Sequence, residues 1–294
     1  MKLKYVSKIQ TNLKNYKMIH TNKTTTRLID GSYNSVYKGR SMNFDELREY
    51  VPGDDIKDID WKATARSQKV LVRQYIAEKR HNILLLMDTN RRMLADTKSG
   101  REKRDIALMG AGTLAYLVSK NNDFIGSIFP TEKGMSYFPL RTGLINIENI
   151  LAHYNSAVTK NNFSTLESSV EYIEKNIKRN MIILIVTDME GINNIDENNL
   201  KMLKYRNDVL ILCVSDASLS GKNVYNVDEE EYLPAYLTED KKLTKRIEKK
   251  RKQIYDSCMD KVRKCGIAMV MIDDTKDLDS HIVELLEKHK LEMR

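Results

Sequence analysis

Apolar residues in the middle and C-terminal chain fall into short solid runs separated by helically spaced stretches. Ile83–Met87 is wholly apolar and stops at Asp88, the pattern of a strand buried on both faces of a parallel sheet. A helix is expected from Glu102 to Ser119, with Ile106, Met109, Leu114 and Leu117 on one face. Asp123–Pro130 reads as a second strand, and Met135–Leu140 as a third, antiparallel to it across a turn at Gly134. Ser164 and Glu167 form a capping-box pair ahead of Leu166, Val170, Ile173 and Ile177, with Lys178 and Arg179 at the negative end of that helix. Met181–Val186 is another buried run, ending at Thr187-Asp188. A short helix near Glu197–Tyr205, a strand at Asp208–Val214, a long helix over Thr238–Lys264, a strand at Ile267–Ile272 and a helix at Leu278–Lys290 complete the pattern. Strands spaced by helices predict an α/β fold with a doubly wound, mostly parallel sheet. No internal repeat is visible.

Composition narrows the class. In 294 residues, 41% are hydrophobic and 31% charged, enough to bury a core in one large or two small domains. Lys+Arg 49 against Asp+Glu 41 leaves +8, too modest for this length to imply nucleic acid. The basic run Lys241–Lys252 has Leu243, Ile247, Ile254, Cys258 and Val262 in a helical stripe through and beyond it, so it reads as the outer face of a docked helix. Cys213, Cys258 and Cys265 form no C-x-x-C pair, which argues against a disulfide framework or structural zinc and fits a reducing cytosol. No apolar run approaches the roughly 18 residues of a membrane span, and MKLKYVSKIQTNLKNYK lacks the apolar core of a secretory signal. A cytoplasmic protein is expected. Phosphate-loop, HExxH and GxSxG motifs are absent, and the five histidines show no ligand spacing.

Two acids sit where such a fold places ligands. Asp88 and Asp188 each follow a buried strand, and open α/β sheets bind ligands beyond the strands' carboxyl ends. Flanked by Thr89, Asn90 and Thr187, they offer oxygen ligands for Mg²⁺, or they simply end strands and cap turns.

The most distinctive segment precedes that fold. Residues 41–75 carry an acidic cluster (Asp45, Glu46, Glu49, Asp54, Asp55, Asp58, Asp60), then bases (Lys62, Arg66, Lys69, Arg73), with the chain's only Trp, Trp61, at the crossover. Pro52-Gly53-Asp54-Asp55 is turn chemistry, and Val70–Tyr75 alternates as a half-buried strand does. A β-rich subdomain is expected within residues 1–80, with Trp61 as its buried anchor and an α/β domain over 81–294. Its charges either pair internally or form a docking surface with Arg, Trp and Tyr as anchors.

Arg48, Tyr50, Gly53, Asp54, Asp55, Ile59, Asp60, Trp61, Ala65, Arg66, Leu71, Val72, Arg73 and Glu78 stand at the spacing R-x-Y-x-x-G-D-D-x-x-x-I-D-W, then A-R, L-V-R and a glutamate. In this the chain resembles the bacterial domain of unknown function 58 family. The resemblance implies a von Willebrand factor type A (vWA)-like fold and partnership with MoxR-type AAA+ ATPases and with membrane-anchored vWA proteins. It implies no established enzymatic activity. The expected partner-binding residues are Arg48, Tyr50, Asp54, Asp55, Asp60, Trp61, Arg66 and Arg73.

It also implies a metal-ion-dependent adhesion site, D-x-S-x-S with a later Thr and Asp. Here Asp88 matches, Asn90 offers a carbonyl oxygen, Thr142 stands for the threonine and Asp188 for the late aspartate. Arg92 replaces the second serine and has no lone pair to donate, so it can pair with Asp88 or Asp188 and leave a degenerate, metal-free crevice. The leading expectation is therefore a non-enzymatic adaptor without a cofactor. The competing classes are a metal-dependent, nuclease-like hydrolase using Asp54, Asp55, Asp88 and Asp188, and a basic nucleic-acid binder.

Overall fold

In the computed structural model the described residues are 3–19, 43–76, 80–217, 225–226, 231–232, 241–276 and 278–292. Packing divides the chain into one unit of Tyr37–His81 and another of Met1–Val36 with Asn82–Arg294. Glu78 and the expected helix start at Thr238 lie outside the described residues.

In the smaller unit, β1 (Asn43–Glu49) and β2 (Leu71–Ile76) pair antiparallel. The connection between them folds into a 3-10 turn (Ile56–Asp58) and a seven-residue helix, α2 (Trp61–Ser67). Gly53 takes a positive φ of 111° in the Pro-Gly turn, where a side chain would be strained. The helix was not legible as one, because its propensity is unremarkable and its start is set by a cap.

The larger unit is built on β3 (Asn82–Met87), β4 (Phe124–Thr131), β5 (Gly134–Arg141), β6 (Ile182–Thr187), β7 (Asp208–Val214) and β10 (Ala268–Ile272). Their order is β10-β7-β6-β3-β4-β5, parallel throughout except for the antiparallel edge strand β5. Numbered within this sheet alone, that is the doubly wound order 3-2-1-4-5-6 read backwards, and its switch point lies between β3 and β6. Strands β8 (Tyr225–Asn226) and β9 (Glu231–Tyr232) form a separate short pair.

Helices cover both faces, which is why β3 and β6 read as solid apolar runs. Leu84, Leu86, Ile183, Ile185, Val209 and Ile211 share one core layer with α5 (Leu166–Asn176), α7 (Glu197–Arg206) and the second half of α8 (Lys241–Lys264). The sheet also packs against α3 (Lys103–Ser119), while α9 (Leu278–Glu292) lies on β10 and β7.

Two elements depart from the sequence reading. Helix α4 (Leu144–Ala157) starts after Gly143 with no capping side chain, so no start signal marked it. Helix α1 (Lys4–Ile19) belongs to the larger unit, not to an N-terminal domain of residues 1–80. It packs on α3 and α4, where Gly112 makes room for it: a Cβ there would sit 2.4 Å from Ile9 Cδ1. The Glu148 carboxylate accepts hydrogen bonds from the Tyr5 and Val6 amides at 2.9–3.0 Å, satisfying donors at the helix start.

The expected capping box does not form. Thr165 is the N-cap of α5 without a side-chain bond, and Ser164 donates to Thr131 O. Glu167 instead accepts from the Asp196 amide and the Asn199 side chain, tying α5 to the start of α7.

Candidate functional site

Asp88 and Asp188 leave the adjacent ends of β3 and β6 at the switch point, one residue out of register, with Asp88 N donating to Val186 O at 2.9 Å. The structure brings them together as the strand pattern anticipates. Both are buried, at 0% and 1% exposure, so two carboxylates share a dry place and need compensation.

The compensation comes from the chain's own cations. Asn90 Oδ1 accepts from Arg92 N and caps the 3-10 turn Arg91–Leu94, which places the Arg92 side chain between the acids. Its guanidinium lies 3.4 Å from Asp88 Oδ2 and 3.5 Å from Asp188 Oδ2, with Glu190 at 3.8 Å on its outer side. Lys103, in the first turn of α3, is the component that sequence reasoning missed. Its ammonium, on a side chain 3% exposed, donates to Asp188 Oδ2 at 2.9 Å and also contacts Asp216. Backbone and hydroxyl donors complete the arrangement. Asp188 Oδ1 accepts from Gly191 N at 2.8 Å, capping the short helix α6 (Met189–Asn193). Asp88 accepts from Asn90 N at 2.9 Å and from Thr187 Oγ1 at 2.6 Å.

The two acids differ electrostatically. Burial, then the neighbouring Asp188 charge, pushes the Asp88 carboxyl up despite Arg92. Burial acts the same way on Asp188, but Lys103 and then Arg92 outweigh it and hold its pKa low. Burial opposes the Lys103 charge, and Asp188 and Asp216 overcome it. Asp188 is thus the fixed anion of the cluster.

This donor set does not suit a hard divalent cation, which takes six or more oxygens. Oxygens of both acids face ammonium or guanidinium groups, and the Asn90 amide is spent on Arg92 N and Ser164 O. Among the described residues no group of three or more acidic, His or Cys side chains is placed to hold a metal. Thr142, expected at the crevice, does not reach it. It follows Arg141, which pairs with Ile125 at the start of β4, so it is exposed at the opposite end of the sheet from Asp88. The antiparallel course of β5 is the reason.

The motif block in the smaller unit separates into two groups. Arg48 and Asp54 form a two-bond pair at 2.8 and 2.6 Å, and Asp54 also accepts from Val51 N. Asp60 caps α2 by accepting from the Lys62 and Ala63 amides, and it pairs with Arg73 Nε at 2.9 Å. Asp55 caps the 3-10 turn through Lys57 N, and Tyr50 N bonds Val70 O across the hairpin. The hydrogen bond from Arg48 holds the Asp54 carboxyl below its ordinary pKa, and the one from the Ala63 amide does the same for Asp60. These five residues and Arg73 hold the connection in shape. Trp61 and Arg66 remain outside that framework. The Trp61 ring is 65% exposed, contrary to the buried anchor expected, because α2 buries none of its residues. Arg66 is exposed and forms no ion pair among the described residues.

Asp54 and Asp55 lie in the smaller unit, where local hydrogen bonds engage both, and Asp88 and Asp188 lie in the larger one.

A doubly wound sheet with a self-neutralised carboxylate pair at its switch point, accompanied by a hairpin unit carrying the motif block, defines the class of protein. The chain belongs to the family described as protein of unknown function DUF58, whose model matches residues 46–253. It is 31% identical over 116 residues to the uncharacterized proteins Rv1480 of Mycobacterium tuberculosis and Mb1516 of Mycobacterium bovis, covering 40% of this chain and 36% of each relative's length. Similar solved structures include the conserved hypothetical protein BatB from Bacteroides thetaiotaomicron, at 16% identity and TM-score 0.46 over 71% of this chain and 98% of that one. An aerotolerance-related membrane protein from Bacteroides fragilis is 11% identical with TM-score 0.46, over 71% and 99%. The SpRpn10 VWA domain is 11% identical with TM-score 0.39, over 69% and 94%. No helix among the described residues is long and apolar enough to cross a membrane.

Proposed function

We propose that this chain is a non-enzymatic, vWA-like interaction module that works in the cytoplasm with an AAA+ ATPase of the MoxR type, and that its crevice functions without metal. The observation that carries the reading is the Arg92–Lys103 pair seated on Asp88 and Asp188, where a metal-dependent adhesion site needs open oxygen ligands. A crevice filled this way can hold the strand ends rigid, but it offers neither Lewis acid nor accessible base. The ATPase as partner rests on the family resemblance. Trp61 and Arg66 supply the contact, since both are exposed on one short helix and Trp and Arg are residue types enriched in interface hot spots.

The test mixes the purified chain with a purified MoxR-type ATPase, ATP and Mg²⁺ and measures co-elution. The wild type is expected to bind, and Trp61→Ala or Arg66→Ala to lose binding with an unchanged melting temperature. Absence of binding by the wild type, or phosphoester turnover by the isolated chain that Asp88→Ala abolishes, contradicts the reading.

A further inference from the structure

Helix α8 (Lys241–Lys264) changes character along its length. Cys258 and Val262 in its second half, and Cys265 just past its end, are buried in the core of the larger unit. In its first half Ile247 and Ile254 are half-buried and Arg251 turns to donate to Ala217 O, so one side faces the protein body. The other side carries Lys245, Arg246, Lys249, Lys250 and Lys252, all exposed and none in an ion pair among the described residues. At 100° per residue these five fall within about 160° of the helix circumference and about 10 Å of its length. Glu248 is the one acid between Lys241 and Lys252. Farther along, Asp256 and Asp260 restore a mixed surface, so the positive charge is confined to the first three turns.

Five cations packed this densely repel one another, and among the described residues none of them is in an ion pair. We infer that this strip is a contact site for an anionic bilayer surface. Charge complementarity selects a negatively charged partner. The helix is docked with its apolar side inward, so only its basic side is open to that partner. Lysines supply four of the five charges. As hydrated point charges they suit a diffuse layer of lipid headgroups, whereas ordered phosphate recognition favours the two-bond geometry of arginine. The contact is peripheral and electrostatic, and it is independent of the ATPase reading above.

The experiment is co-sedimentation of the full chain with vesicles of phosphatidylcholine alone or containing about 30% phosphatidylserine. Binding is expected to the serine-lipid vesicles only, and to be lost in about 0.5 M salt. Each lysine is worth about fivefold in partitioning, so Lys249→Gln/Lys250→Gln should weaken binding about 25-fold and Lys249→Glu/Lys250→Glu should abolish it. These side chains are exposed, and far-UV dichroism verifies folding in each variant. No binding to the serine-lipid vesicles, or binding that both double variants retain, overturns the inference. So does tighter binding to duplex DNA or to polyglutamate than to the vesicles, with the same dependence on Lys249 and Lys250, since that assigns the strip to another partner.

Discussion

Replacing Lys103 with methionine removes the best-placed cation of the crevice while keeping most of the side-chain volume. Asp188 is then left at 1% exposure with Gly191 N and an Arg92 Nε 3.5 Å away that makes no hydrogen bond to it. Stripping one member from a buried ion pair costs about 3–5 kcal/mol. The surviving partners place Lys103→Met near the lower end, about 3 kcal/mol, or a fall of about 6–12 °C in melting temperature for a chain of this size. Urea denaturation at pH 7 measures it. The sign with pH is fixed by Asp188. Its folded pKa is depressed, so the stability it contributes is present above its ordinary 3.8 and is lost as pH falls through the lower folded value. The gap between wild type and Lys103→Met should therefore narrow below about pH 4. Adding Asp188→Asn, which removes the orphaned charge, should recover much of the loss. A single variant within about 1 kcal/mol of wild type at pH 7 refutes the idea that Lys103 neutralises the crevice.

Trp61→Ala should change stability by under about 1 kcal/mol, because the ring is already 65% exposed, and the native fluorescence should be water-like. A cooperative loss of several degrees would show that the ring is covered. Gly191→Ala should cost about 3 kcal/mol by denaturation, since its Cβ would lie 1.9 Å from Thr187 Oγ1 and 2.6 Å from Asp88 Oδ2. His289, fully buried on α9, has its pKa lowered to about 4, first by burial and then by Lys204, against the opposing pull of Asp208. Its neutral form therefore contributes stability that is complete above pH 6.5 and lost as pH falls toward about 4, at most about 3 kcal/mol, and His289→Leu should flatten that slope in pH-dependent melts.

Much of the fold was legible because central parallel strands must be apolar on both faces, and Ile83–Met87 and Met181–Val186 have little else. Their terminal acids followed from where such strands end, and Arg92 from its place in the expected ligand pattern. Lys103 was not legible. A lysine opening a helix ordinarily reads as solvated, and its partner Asp188 lies 85 positions away, a juxtaposition only the tertiary fold creates. Trp61 misled for a related reason. A lone Trp between charge blocks suggests burial, yet Asp60 caps a helix just before it and that helix buries nothing. Thr142 was placed by loop order, which the reversed direction of β5 defeats.

That the crevice at the switch point is neutralised by the protein's own cations is tested most directly by calorimetric titration of the purified wild-type chain with Mn²⁺ and with Mg²⁺. The expected result is no one-to-one binding tighter than about 100 μM, equivalent to about −5.5 kcal/mol. A one-to-one site tighter than that, lost in Asp88→Ala, would contradict it.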